Sequence, residues 1–419
     1  MRLELITIGG ELLLGFTIDT NAAHLARTLA EIGIEVVRRT TVGDEPESIA
    51  SAVSDALDRT GAAITTGGLG PTSDDLTKPA IAALFGRGMR RDEAILGALR
   101  ERWRARGLPG ELPRSNEQQA LIPDRARILV NRHGSAPGIW LEDDAGRWVA
   151  MLPGVPREMR GMLDDELLPM LRERAGRGVV VRSRTLRTAG VAESALADHL
   201  GDLAGGLPAL PLAYLPAPEG VDLRLTVRAM AGEEADRVLA DAVSRIRDRV
   251  GRFVYGEDDD DLAAIVLDLA RRRNLHIAVA ESCTGGLLGT RLTAVPGASD
   301  AFWGGVIAYD DSAKKRLLAV PSALLDSHGA VSAPVALAMA SGARQALGTE
   351  VAVSVTGIAG PTGGTAEKPV GTVYIAVDVD GRAEAWHRHY LGDRDEIRRR
   401  SAQVALDFLR RALEVPAAP

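Results

Sequence analysis

The run His276-Ile277-Ala278-Val279-Ala280 passes directly into Glu281-Ser282-Cys283-Thr284-Gly285-Gly286, and a helix-like segment opens near Leu287. A short apolar run ending at paired glycines reads as a buried strand, and the change of period beyond it reads as a helix. Open parallel sheets bind ligands at the carboxyl ends of their strands, so this stretch predicts an α/β domain with its site at that end. Ser282 would lie there beside backbone N–H groups that the helix leaves unpaired, a setting for both a nucleophile and an oxyanion. The same residues also read as a plain turn in which Ser282 or Thr284 caps the helix.

Working outward, the strand-like run Phe302 to Ala308 closes on Tyr309, and Lys314 follows on what reads as a short helix. A serine hydroxyl is a poor nucleophile without a base. A desolvated lysine can take its proton, and a tyrosine hydroxyl can orient or relay; Lys314 taken alone, with Lys315 beside it, reads equally as a surface charge. A third strand, Val351 to Val355, runs into Thr356-Gly357-Ile358-Ala359-Gly360-Pro361-Thr362-Gly363-Gly364. Glycines there let backbone N–H groups approach an anion, although no Gly-Lys-Ser/Thr closes a Walker loop and a plain loop is the alternative. Arg394 opens the final helix, Asp395 to Leu413, where it would grip a phosphate bidentately or face solvent. Helix Leu262 to Arg272 and strand Thr372 to Val377 complete an α/β pattern with consecutive late strands.

Together with Ser327-His328-Gly329-Ala330-Val331-Ser332, Lys368-Pro369-Val370-Gly371-Thr372-Val373 and Gly392-Asp393-Arg394, these segments resemble the CinA carboxyl-terminal domain, the nicotinamide mononucleotide deamidase family, over nearly all of residues 260 to 415. The resemblance implies amide hydrolysis to nicotinate mononucleotide and ammonia, with Ser282 as nucleophile, Lys314 as its base and Tyr309 assisting. It implies substrate contacts from Thr284, Gly285, Thr356, Gly357, Gly360 and Arg394, and no metal or other cofactor. Cys283 is the rival nucleophile. None of His276, His328, His387 and His389 has a spacing that marks it as a partner, so Cys283 reads as a buried, inert thiol.

The front of the chain also alternates: strand Leu3 to Ile8, amphipathic helix Ala22 to Ile32 ending at Gly33, strand Ile34 to Val37, helix Glu47 to Arg59, and strand Ala62 to Thr66 followed by the loop Gly67 to Thr72. This predicts a parallel α/β sheet. The clusters Gly9-Gly10-Glu11, Asp19-Thr20-Asn21, Gly67 to Asp75 and Pro153 to Met159 carry glycines for close approach and carboxylates that hold a hard cation or merely cap helices. Jointly they resemble the molybdopterin-binding fold of MoaB/Mog type found at the front of CinA proteins. That resemblance implies cleavage of the ADP-ribose pyrophosphate with a divalent metal, cobalt or magnesium, and potassium. Ligand or metal contacts would come from Glu11, Asp19, Gly68, Thr72, Asp74, Asp75 and Glu158. Gly10 departs from the pattern, which expects a polar side chain before the Glu.

Between these lies a small α+β connector: strand Val179 to Leu186, helix Glu193 to Leu200, period-two alternation over Leu223 to Val227, helix Glu233 to Val250 and strand Arg252 to Tyr255. The acidic run Glu257 to Asp261 reads as a linker that caps the next helix. The expected domains are thus 1–172, 173–256 and 257–419, an α/β multidomain chain. Its composition, 46% apolar with 4% aromatic, predicts aliphatic cores. A net charge of -7 argues against nucleic acid as a partner, and the runs Arg271 to Arg273 and Arg398 to Arg400 read as solvated helix faces. No apolar run approaches the ~20 residues needed to span a membrane. The single cysteine and the absence of a leader point to a reducing, cytoplasmic setting. The expected partners are small nucleotides, nicotinamide mononucleotide and ADP-ribose, with a homodimer as the assembly. The alternative is a non-catalytic molybdopterin- or nucleotide-binding accessory protein linked to competence or DNA damage.

Overall fold

The structure is a computed structural model, and it describes residues 1–107, 109–175, 180–208, 210–217 and 219–414. Val179 and the Val415–Pro419 tail therefore lie outside the described residues. The chain divides into two compact units, one of residues 1–182 with 227–236, the other of residues 183–226 with 237–419.

In the first unit the strands run in the order Glu35–Val42, Arg2–Ile8, Ala62–Thr66, Trp148–Leu152, Gly138–Glu142, Arg127–Leu129. The first four are mutually parallel and the last two antiparallel. Ala62–Thr66 and Trp148–Leu152 are buried at every position, as interior strands covered on both faces must be. Helix Thr20–Glu31 starts where Asp19 accepts the Ala22 N–H at 2.9 Å. Helix Pro46–Thr60 opens on a proline and stops at left-handed Gly61.

A five-stranded sheet, most of it in the second unit, is built from Gly206–Leu207, Leu210–Ala217, Gly220–Met230, Val180–Thr188 and Val254–Glu257. Leu223, Leu225 and Val227 turn inward while Arg224 and Thr226 are less buried, the alternation the sequence predicts. The acidic run is no free linker. Glu257 ends a strand, the Asp258 carboxylate accepts the Thr185 N–H at 2.9 Å and pairs with Arg184 at 2.8 Å, and only Asp261 caps helix Leu262–Arg272, through the Ala263 and Ala264 N–H groups.

The second sheet of this unit has the order Phe302–Ile307, Ile277–Glu281, Val351–Gly357, Thr372–Val379, Arg382–His389; the first three strands are parallel and the last two antiparallel. Side chains alternate in size as well as direction. Ile277, Val279, Val351, Val353 and Val355 pack with helices Leu262–Arg272, Leu287–Thr293 and Arg394–Glu414, whereas Ala278, Ala280 and Ala352 pack with Val335, Met339 and Ala343 of helix Ala333–Leu347. The small residues let that helix approach closely. At Gly342 an added Cβ would lie 2.0 Å from the Leu318 carbonyl oxygen.

Candidate active site

The register of the three parallel strands brings the catalytic candidates to one end of the sheet. Glu281 is level with Ile307 on one neighbour and with Val355 on the other, so Ser282, Tyr309 and Thr356 all lie at the same end of the sheet. The Ser282 N–H donates to the Val355 carbonyl at 2.9 Å and the Ala308 N–H to the Glu281 carbonyl at 2.8 Å, which fixes these exits side by side. Ser282 is buried.

The turn after Ser282 differs from the expectation of a helix with free N–H groups. Glu281, 1% exposed, takes them: one carboxylate oxygen accepts from Gly286 (3.0 Å) and Leu288 (3.1 Å), the other from Gly289 (2.8 Å). Neither Ser282 nor Thr284 caps the helix. Within the turn the Gly285 and Leu287 N–H groups bond to the Ser282 and Thr284 carbonyls, and Gly285 and Gly286 hold φ of +59° and +95°, which favour glycine. Among the described residues the N–H groups of Cys283 and Thr284 donate to no other residue, the Cys283 N–H facing its own thiol, and the buried Thr284 hydroxyl has no hydrogen-bond partner. These are the donors left for an oxyanion.

Lys314 is 1% exposed while Lys315 faces solvent, so the two lysines separate cleanly. The Lys314 amine donates to the Tyr309 carbonyl at 3.1 Å and to Asp311 at 3.2 Å. Among the described residues no hydrogen bond joins it to the Ser282 hydroxyl. Tyr309 is 60% exposed, and its hydroxyl accepts from Arg394 at 2.8 Å; the same guanidinium donates to the Gly360 carbonyl at 2.6 Å. Arg394 thereby bridges the Tyr309 strand end to the glycine loop. The Thr356 hydroxyl donates to the Ala330 carbonyl at 2.8 Å, keeping only acceptor capacity for a ligand. Gly357 and Gly360 are required by packing: an added Cβ would come within 2.7 Å of Val373 and 2.6 Å of Val370.

The arginine runs are only partly solvated faces: Arg272 and Arg399 are exposed, the others reach carbonyls. Arg398, which sequence reasoning missed, donates to the Thr284 carbonyl at 2.8 Å and pins the nucleophile turn, while Arg399 pairs with Asp395 and Arg400 reaches the Leu391 carbonyl. Arg271 and Arg273 likewise bond to the Gly297 and Leu413 carbonyls at 2.6 Å, and only Arg272 pairs locally, with Asp268. Cys283 is 4% exposed, and burial, reinforced by the Glu281 carboxylate, pushes its thiol up to about 12, the state of an inert cysteine. His276 is engaged by Glu350 at 3.0 Å and packs on Trp303.

In the first unit the ends of Arg2–Ile8, Ala62–Thr66 and Trp148–Leu152 also converge. The Gly67 N–H donates to the Leu152 carbonyl at 3.1 Å, and an added Cβ at Gly67 or Gly68 would collide with the Ile8 carbonyl or the Thr77 hydroxyl. Asn21 bridges the Thr66 hydroxyl (3.1 Å) and the Gly154 carbonyl (2.7 Å), leaving its own buried Oδ1 without a partner. The expected cation ligands do not assemble. Asp75 spends both oxygens on the Gly70 N–H and on the Thr72 N–H and hydroxyl; Asp19 caps its helix; Glu158 accepts from Asn131 at 2.6 Å; Glu11 and Asp74 are exposed. Among the described residues no group of three or more His, Cys, Asp and Glu side chains is placed to hold a metal ion. The residues present therefore do not fit a protein-held cation. At Gly10, where a polar side chain is expected, the backbone N–H donates to the Asp44 carboxylate at 2.9 Å. Lys78, also missed, is buried with its amine on the Gln118 and Gln119 carbonyls.

Known proteins match this chain in three successive stretches. Family models match at residues 4–173 (probable molybdopterin binding domain), 183–256 (damage-inducible protein CinA KH domain) and 259–413 (CinA C-terminal domain). A CinA-like protein of Gemmatimonas aurantiaca is 62% identical over 98% of this chain and 96% of its own length. A putative competence-damage inducible protein of Moorella thermoacetica is 43% identical over 99% of each. Among solved structures, the competence/damage inducible protein CihA of Agrobacterium tumefaciens is 40% identical, covering 36% of this chain and 96% of its own, with a TM-score of 0.34. Among the described residues no helix is long and apolar enough to cross a membrane.

Proposed function

The chain belongs to the CinA family, with a molybdopterin-binding-type front domain, a KH connector and the CinA carboxyl-terminal domain, and from that premise we propose that the last domain hydrolyses the carboxamide of nicotinamide mononucleotide. The observation that carries this reading is the common exit of three strands: a buried serine, a buried lysine and a glycine loop bridged by Arg394 stand at one end of one sheet. The Ser282 oxygen attacks the carboxamide carbon while its proton passes to the Lys314 amine, which swings to it from the Tyr309 carbonyl and Asp311. The oxyanion is met by the Cys283 and Thr284 N–H groups. The C–N bond breaks, Lys314 returns the proton to the leaving nitrogen as ammonia departs, and water cleaves the resulting ester to give nicotinate mononucleotide and free Ser282. Phosphate on the substrate draws Arg394 from Gly360 and Tyr309 into a bidentate pair.

Ammonia release from nicotinamide mononucleotide without added metal tests the reading. Ser282→Ala should lower it by about 10⁴-fold or more with an unchanged circular dichroism spectrum; equal release by wild type and variant would sink the assignment, and no release by wild type would favour an accessory, ligand-binding protein. For the front domain the proposal is a phosphorylated-ligand site at the ends of Arg2–Ile8, Ala62–Thr66 and Trp148–Leu152. Its carboxylates do not converge, and AMP formation from ADP-ribose across a panel of divalent ions decides whether it turns over.

A further inference from the structure

We propose that Glu281 is a positioning residue for the Ser282 nucleophile, holding the turn in the one shape that leaves the Cys283 and Thr284 N–H groups free for the oxyanion. The proposal rests on the hydrolase reading of this site but not on the identity of the substrate. The Glu281 carboxylate is 1% exposed and bonded to the Gly286, Leu288 and Gly289 N–H groups. Helix Leu287–Thr293 is short, and without Glu281 its amino-terminal N–H groups would be left to find other acceptors, shifting the turn that carries Ser282. By consuming those donors from beneath, Glu281 reserves the Ser282 oxygen for attack and sends the oxyanion to the Cys283 and Thr284 N–H groups. The buried Thr284 hydroxyl without a partner faces the same need for an acceptor that arrives only with substrate. The turn is held elsewhere by Arg398 on the Thr284 carbonyl and by Val355 on the Ser282 N–H, so loss of Glu281 should misalign the turn rather than dissolve it.

Glu281→Gln is nearly isosteric but replaces one of the two accepting oxygens with an N–H₂ group, which then faces one or two of the three N–H donors. In the full-length protein it should lower kcat for ammonia release by about 100- to 1000-fold, the range for a lost oxyanion donor, with KM within about twofold of wild type. Labelling of Ser282 by a fluorophosphonate, read by mass spectrometry, should slow in parallel, whereas a purely structural role would lower the melting temperature and leave the per-site labelling rate of folded protein alone. If Glu281→Gln does not fold, Glu281→Asp, which keeps the charge but draws it back by one methylene, is held to the same outcome. A folded variant with wild-type kcat and labelling rate overturns the proposal, as does wild-type Ser282 that fails to label. Labelling without ammonia release from nicotinamide mononucleotide would instead remove the substrate while leaving the Glu281 test intact.

Discussion

Replacing Cys283 should cost almost nothing in catalysis, although it adjoins the nucleophile and a thiol is intrinsically the better one. Its thiol is pushed up to about 12 by burial, against about 8.5 for a free cysteine. At pH 7.5 that leaves a thiolate fraction of roughly 3 in 100,000 instead of roughly 1 in 10, so reaction with iodoacetamide, which needs the thiolate, slows by about 3000-fold before any loss of access is counted. At 4% exposed, the sulfur is poorly accessible as well. Cys283→Ala removes one small buried atom, at about 1 kcal/mol or less, and ammonia release should stay within about twofold of wild type. Mass spectrometry of iodoacetamide labelling, native against denatured protein, run beside the ammonia assay, measures both halves. Native labelling at nearly the denatured rate with activity falling in step, or an inactive but folded Cys283→Ala, would refute the reasoning and make the thiol the nucleophile.

Arg394→Lys should raise KM for nicotinamide mononucleotide by about tenfold, because an ammonium cannot reproduce the fork that now spans Gly360 and Tyr309; an equal rise for nicotinamide riboside, which lacks the phosphate, would show that Arg394 does not read that group. Burial pulls Lys78 down to about 8 from about 10.4, so between those values the unfolded chain binds a proton that the folded chain has released, and stability rises with pH there. Below about 8 both states are charged and the whole cost of burying the ammonium, roughly 3 kcal/mol, is carried. The stability of wild type relative to Lys78→Met, from guanidinium unfolding, should therefore climb between pH 8 and 10.5; a flat difference would show that the amine keeps its ordinary value.

The strands of the candidate site were legible because their signals are local. Ile277 to Glu281 and Val351 to Val355 are apolar runs punctuated by glycines, and Ala62 to Thr66 coincides with its strand. The helix Ala333–Leu347 was not singled out, since its alanines give little contrast in period and its place depends on alanines in strands far along the chain. Side-chain roles divide by the same physics. Asp261 caps its own helix, and a cap is written within four residues. Glu281 gives no such sign, because a glutamate at a strand end reads as solvated until the following helix folds back over it. Arg398 sits in a run of three arginines, and only its face on the helix, set against a turn more than a hundred residues earlier, sends it to Thr284.

The front-domain carboxylates invert that lesson. In the sequence, Asp74, Asp75, Asp19 and Glu158 invite a cation, yet Asp75 gives both oxygens to N–H and hydroxyl groups, while Asp19 caps a helix and Glu158 accepts from Asn131. A carboxylate that accepts two or three such bonds has few lone pairs left for a metal, so carboxylate density along a chain overstates coordinating power wherever glycine turns leave N–H groups nearby. The same accounting favours the serine site. There the Gly286, Leu288 and Gly289 N–H groups are satisfied by Glu281, while among the described residues the Cys283 and Thr284 N–H groups donate to no other residue and the buried Thr284 hydroxyl has no partner, all on the turn that carries Ser282.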